Sequence, residues 1–164
     1  MGSNKVVDKN MRVAVAEIDG ITFYSPDADF FELNGFYWRK KGGPYRRMPV
    51  RSEEYPLTDA VDSLADMSAG GKLRFRSDAA RIVVRVKVAI AHKIVRSALT
   101  STMGFDLYVG EGRNAIFRKV SVFDTDTMEY TAELWNCAEV KMRSFSINFP
   151  LFAQIESVEF GFND

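Results

Sequence analysis

The residues of this sequence that could perform hydrolysis include a single histidine, His92, a single cysteine, Cys137, and many serines. Nucleophilic hydrolysis needs a nucleophile, a base and usually an orienting acid. His92 continues the alternation of the apolar run Val84–Ile90, so its parity predicts a strand end at the rim of a core. A hydrogen bond to a carbonyl would satisfy it there, whereas a catalytic role would require a nucleophilic serine nearby. No serine stands in a Gly-x-Ser-x-Gly elbow, so the sequence favours a structural histidine.

Paired carboxylates are the other route to hydrolysis, as in glycosidases. The candidate pairs are Asp124 with Asp126, and Glu53 with Glu54. Both pairs fall in predicted turns or loops, where acids commonly bond to the local backbone. One histidine and one cysteine cannot build the usual zinc sites. The sequence therefore predicts no catalytic residue, no metal site and no cofactor in this chain.

The segment 101–110 places a chain-breaking glycine beside a carboxylate and an aromatic hydroxyl. Its key residues are Gly104, Asp106, Leu107 and Tyr108. A rigid turn of this kind could hold a polar ligand. It could equally join two sheets, with the Asp106 carboxylate capping free backbone N–H groups. Spacing leaves both interpretations open and favours the structural one, because Asp and Gly are ordinary turn residues.

Recognition of sugars requires flat aromatic faces with polar groups at the rim. The largest platforms are Trp38 and Trp135, and several arginines could supply hydrogen bonds. The candidate substrate-binding residues are Trp38, Arg46, Arg47, Asp106 and Tyr108. The alternatives are that Trp135 and Tyr108 serve only as packing in the core or at its rim, and that the basic loop Lys40–Tyr55 is simply solvated by water.

The elements that must position these residues are mostly strands with a period of two. The clearest apolar alternations are Leu73–Phe75, Ile82–Ile90, Phe145–Phe149 and Val158–Phe162. Three hairpins are predicted, around Asp19-Gly20, around Asn34-Gly35, and between Asn114–Asp124 and Met128–Trp135. Leu57–Met67 is the one helix-like window, with Leu57, Val61, Leu64 and Ala65 on its apolar face.

About nine or ten strands separated by turns predict an all-β fold, a two-sheet antiparallel β-sandwich of jelly-roll type with at most one short helix. Residues 1–10 are predicted to form a flexible tail and residues 11–164 a single domain.

Twenty-two basic and 22 acidic residues give zero formal net charge, which argues against general binding of nucleic acid or membranes. The polar segment Met1–Asn10 lacks a secretory apolar core. A native start at Met1 would thus place the protein in the cytoplasm, and a removed leader would imply export.

Gly104-Phe105-Asp106-Leu107-Tyr108 resembles the Gly-x-Asp-Leu-Tyr motif of a domain that precedes the catalytic domain of SGNH-type esterases. Three further segments are similar to that family: Arg46–Pro49, Met67–Asp78 and Asn148–Phe152. The resemblance covers roughly residues 30–162, nearly the whole chain. One departure is Ala79, which stands where the family usually has serine, and this puts any contact of that hydroxyl in doubt.

The resemblance implies a β-sandwich accessory domain that is not catalytic by itself. It would help to bind or orient an acylated carbohydrate, or complete the cleft of a downstream SGNH catalytic domain, its expected partner. The catalytic signatures of SGNH hydrolases, a Gly-Asp-Ser or Gly-Ser-Ser block and a late Asp-x-x-His, are absent from this sequence. The alternative is a free-standing module that binds carbohydrate or protein.

Overall fold

The structure, a computed structural model, describes residues 20–91, 98–124 and 127–163. Its strands form a four-stranded sheet of order β1-β9-β4-β7 and a five-stranded sheet of order β2-β3-β8-β5-β6, and all their pairings are antiparallel. The strands are β1 (Ile21–Tyr24), β2 (Glu32–Asn34), β3 (Lys72–Ser77), β4 (Arg81–Ala91), β5 (Asp106–Val109), β6 (Ile116–Val120), β7 (Glu129–Asn136), β8 (Arg143–Asn148) and β9 (Ala153–Asn163). The helices are α1 (Asp59–Ala65) and α2 (Leu99–Met103).

The predicted two-sheet antiparallel sandwich with little helix is confirmed, since in the described ranges only α1 reaches seven residues. The jelly-roll connectivity and the single domain at residues 11–164 stay predictions. Four of the predicted features lie outside the described residues: the tail 1–10, Asp19 of the first hairpin, His92 and Asp126. No helix in the described part of the chain is long and apolar enough to cross a membrane.

The core lies between the sheets and is built by the predicted alternation. On β3, Leu73 and Phe75 are buried, while Arg74 and Arg76 between and beyond them are exposed. The Phe75 ring stacks on Phe145 of the neighbouring strand β8, with 5.4 Å between the ring centroids. Large rings fill the gap of about 10 Å between two packed sheets, and six of the chain's 13 phenylalanines are buried in this core.

The predicted hairpin at Asn34-Gly35 does not form. The strand before it, β2, pairs instead with β3, placing Asn34 opposite Lys72. Gly35 has φ +87°, and a Cβ built there would lie 2.2 Å from the Gly70 carbonyl oxygen. The glycine is thus needed for close approach of two backbone segments, and the chain beyond it turns Phe36 into the core instead of returning as a strand.

The predicted hairpin between Asn114–Asp124 and Met128–Trp135 is also wrong. β6 pairs with β5 in one sheet, and β7 pairs with β4 in the other. The chain leaves β6 at Ser121, whose N–H donates to the Phe105 carbonyl at 2.9 Å. The segment between the two strands is long enough to cross the gap between the sheets, so it connects the layers.

Helix α1 occurs within the predicted window, but its apolar face differs from the expected one. It begins at the cap Thr58, whose hydroxyl accepts from the Val61 N–H at 3.4 Å. Ala65 is buried, whereas Val61 and Leu64 are 43% and 48% exposed. The helix is only two turns long, and Ala65 at its C-terminal end is its only buried residue.

Candidate functional site

The Gly104–Tyr108 segment is positioned by the end of α2. The Gly104 N–H donates to the Thr100 carbonyl at 2.9 Å, and a Cβ at Gly104 would lie 2.2 Å from that oxygen. Phe105 is fully buried, and its N–H donates to the buried Ser121 hydroxyl at 2.9 Å. A glycine and a buried anchor therefore fix the point at which β5 enters the sheet.

Register places the polar residues of β5 beside those of its neighbours. Asp106 lies opposite Asn148 of β8, which lies opposite Lys72 of β3. Likewise Tyr108 lies opposite Ser146, which lies opposite Arg74. The intervening residues of these strands, Leu73, Leu107 and Ile147, are buried against the core. Because side chains alternate along a strand, the polar set lies on the opposite face of the sheet.

We call this surface the outer face. It consists of Lys72, Arg74, Asp106, Tyr108, Ser146 and Asn148. The structure thus places two of the predicted site residues, Asp106 and Tyr108, on the same face as Arg74 of the Met67–Asp78 segment.

The Asp106 carboxylate is half-buried, and no hydrogen bond to it is formed within the described ranges. The predicted capping of backbone N–H groups is therefore not seen there. Loss of hydration raises the pKa of Asp106 above its ordinary value. A partly desolvated carboxylate on an open sheet face is an acceptor available to a donor from another molecule or domain.

Tyr108 shares an aromatic edge with the last strand of the sheet. Its ring meets Phe117 of β6 edge to face, with centroids 5.6 Å apart. Phe117 is 51% exposed and Ile116 beside it is 56% exposed. The outer face therefore continues to the exposed Phe117 side chain on the edge strand β6, whereas Ile116, opposite Val109, lies on the other face of the sheet.

Arg46 and Arg47 hold the long loop to α1. The Arg46 guanidinium donates to the carboxylates of Asp62 and Asp66, to the latter at 2.8 Å, and to the Pro49 carbonyl at 3.1 Å. Arg47 Nη2 donates to the Leu64 carbonyl at 2.7 Å. These bonds give both arginines a structural role, and their role in binding a substrate stays a prediction.

Trp38 lies on an exposed turn that follows β2. The Arg39 N–H closes this turn on the Phe36 carbonyl at 3.0 Å. Trp38 is 45% exposed, and its ring meets those of Tyr37 and Tyr55 at centroid distances of 5.2 and 5.1 Å. Three strand spacings, roughly 14 Å, separate β2 from β5, so the five predicted residues do not form one cluster.

A pocket lined in part by Phe36, Arg39 and Lys41 was not predicted from the sequence. The pocket has a volume of about 300 Å³. Its lining includes Asp27, Ala28, Asp29, Phe31, Arg39 and Lys41, and we call it the Arg39 pocket. Arg39 donates to both carboxylate oxygens of Asp27, at 2.5 and 2.8 Å. The two residues stand 12 positions apart in irregular segments, so no periodic pattern links them.

No group of three or more metal-ligating side chains occurs in the part of the chain that the structure describes. Its chemistry at the outer face and the Arg39 pocket consists of hydrogen bonding, aromatic contact and paired charges.

The chain belongs to the GxDLY family, the N-terminus of SGNH hydrolase-type esterases, whose family model matches residues 21–164. No curated protein matches the sequence.

Two solved structures have similar folds. A protein described as a GDSL-like lipase from Bacteroides ovatus ATCC 8483 has a TM-score of 0.75 at 18% identity, covering 88% of this chain and 41% of its own. The salicylyl-acyltransferase SsfX3 from a tetracycline biosynthetic pathway has a TM-score of 0.61 at 13% identity, covering 90% of this chain and 40% of its own. This chain thus spans about two fifths of the length of each.

Proposed function

We propose that this chain is the non-catalytic N-terminal accessory domain of an SGNH-type esterase whose catalytic domain follows it in the same protein. The observation that carries the proposal is the family match across residues 21–164. The greater length of both similar solved structures supports it, since each has more than half of its chain outside the matched part.

In this proposal the outer face lies against the catalytic domain and helps to orient an acylated carbohydrate or to complete the cleft. Two observations support this assignment. The half-buried Asp106 carboxylate accepts no hydrogen bond within the described residues, so it can receive one across an interface. Tyr108 and the exposed Phe117 add an aromatic edge to the same surface, and aromatic residues are enriched at protein interfaces.

The first test is the reading frame beyond Asp164 in the native gene. The proposal expects a segment with a Gly-Asp-Ser or Gly-Ser-Ser nucleophile block. A stop codon there, or a following domain of another class, would contradict it.

The second test uses the full-length product of that gene. Asp106→Ala should lower kcat/KM on an acetylated xylo-oligosaccharide about tenfold and leave turnover of p-nitrophenyl acetate within about twofold, because only the larger substrate needs a complete cleft. The control is Glu156→Ala, which removes an exposed carboxylate from the other sheet. Equal effects of both substitutions would refute a role for the outer face.

A second candidate function is a free-standing carbohydrate-binding module. The observation that favours it is the exposed cluster of Tyr37, Trp38 and Tyr55. Under this function Trp38→Ala should leave the melting temperature nearly unchanged and abolish binding in a glycan screen. Phe30→Ala, at an aromatic residue that is 55% exposed elsewhere, should retain binding. A large loss of stability in Trp38→Ala would instead show that Trp38 serves packing.

A further inference from the structure

We propose that the Arg39 pocket is a binding site for one ring of a neutral carbohydrate. The inference does not rest on the proposed function, because the pocket lies within this chain and involves neither the outer face nor a second domain. It is also distinct from the Trp38 cluster, since Trp38 is exposed whereas the Arg39 side chain is only 5% exposed.

The charges in the pocket cancel, which argues for an uncharged ligand. Arg39 is paired with Asp27, and Lys41 with Asp29 at 3.4 Å. An incoming anion would meet two carboxylates, and an incoming cation would meet two basic groups. A ligand of hydroxyl groups both donates and accepts, so it can bond to either member of each pair without leaving a charge unbalanced.

The inner pair is rigid and largely buried, whereas the polar groups open to a ligand belong to the outer pair. Asp27 also accepts from the Gly42 N–H at 2.9 Å, and the Arg39 guanidinium lies 4.5 Å from the centre of the Tyr45 ring. The Arg39 Nε–H is buried without a hydrogen-bond partner among the described residues. This N–H is covered by protein atoms, so a ligand would bond to the exposed carboxylate of Asp29 and ammonium of Lys41.

Size and lining also fit one sugar ring. A volume of about 300 Å³ is at the lower end for ligand sites. Phe31 and Leu33 are only partly buried and supply apolar surface, against which the C–H face of a pyranose can pack. The Arg39 hydrogen bond lowers the pKa of Asp27, so this acceptor stays ionised throughout the neutral range.

The test is a titration of the isotope-labelled chain, followed by amide resonances. The probes are glucose, galactose, xylose and N-acetylglucosamine, with glucuronate and glucosamine as charged counterparts. At least one neutral sugar should shift the amides of Ala28, Asp29 and Gly42 with a Kd of millimolar order. Absence of such shifts for every neutral sugar, or tighter binding of a charged counterpart, would overturn the proposal.

Two variants locate the binding. Ala28→Leu fills the pocket while leaving both ion pairs in place, so it should weaken binding at least tenfold. The control Ala60→Leu adds the same volume on an exposed position of α1 and should bind as the original chain does. Asp29→Asn, at a carboxylate that is 99% exposed, should weaken binding several-fold without affecting folding, and it serves as the test if Ala28→Leu fails to fold. Unchanged binding in the folded pocket variants, with shifts confined to the Trp38 turn, would refute the pocket.

Discussion

At the scale of single residues, Asp106 differs most from the expected role. The sequence favours a structural turn in which Asp106 caps backbone donors. The structure instead places the carboxylate on the outer face without a hydrogen bond in the described ranges. Its pKa in the folded state is raised by burial. Its ionised form therefore opposes folding at neutral pH, which is the reverse of a stabilising cap.

We expect Asp106→Asn to raise the melting temperature near neutral pH. Because the folded pKa lies above the unfolded one, the native state binds more protons between the two, and its stability rises as the pH falls through this window. The advantage of the variant should therefore shrink as the pH is lowered towards 3.8, the ordinary pKa of Asp. Thermal melts over this range test it, with Asp29→Asn as an exposed control. A lower melting temperature at neutral pH would restore the capping role.

Arg46 provides a second test at the residue scale. Its side chain is 12% exposed, and its guanidinium pairs with Asp62 and Asp66 of the α1 region. Arg46→Ala should cost roughly 1–3 kcal/mol of folding free energy, because charge-assisted bonds are lost and their acceptors are left unpaired. Denaturant melts measure this cost.

Arg51→Ala is the matched control, since it removes a pair with Asp59 in which the aspartate is 94% exposed. We expect this change to cost no more than about 1 kcal/mol. Equal costs would show that Arg46 does not anchor the loop, and would favour the predicted contact with substrate.

At the scale of elements, the close approach of the Gly35 and Gly70 backbones determines the path of the chain after β2. Gly35→Ala should destabilise the domain by several kcal/mol. A left-handed backbone alone costs an L-residue roughly 1–2 kcal/mol, and the added Cβ would also meet the Gly70 carbonyl oxygen at 2.2 Å. Gly42→Ala isolates the first effect, because Gly42 has φ +76° with nothing within 4 Å of its Cβ position. Similar losses in the two variants, measured by denaturant melts, would refute the argument from close approach.

At the scale of the whole molecule, the fold and family assign this chain to the N-terminal part of SGNH-type esterases. We expect the purified chain to show no turnover of p-nitrophenyl acetate above the buffer rate, because the sequence lacks the nucleophile block and the late Asp-x-x-His of that enzyme class. His92→Ala is the diagnostic variant. Turnover that disappears with this substitution would mean that the chain is an enzyme, whereas turnover that persists would indicate contamination.

The sequence by itself determined the class of fold and the family. Alternating residues such as Leu73 with Phe75, and Val84 with Val86, fix which face of a strand is buried, because side chains alternate at every second position. The motif Gly104–Tyr108 adds the family resemblance, which the match over residues 21–164 confirms.

Only the tertiary structure decided which strands and which side chains pair with one another. Alternation does not determine which strands pair, so the sequence predicts hairpins at Asn34-Gly35 and after β6 that do not form. In the structure, β2 pairs with β3, and β6 and β7 lie in separate sheets. The pairing of Arg39 with Asp27 likewise joins irregular segments, for which no local pattern exists. Local periodicity encodes burial, whereas pairing and pockets depend on contacts between residues distant in the chain.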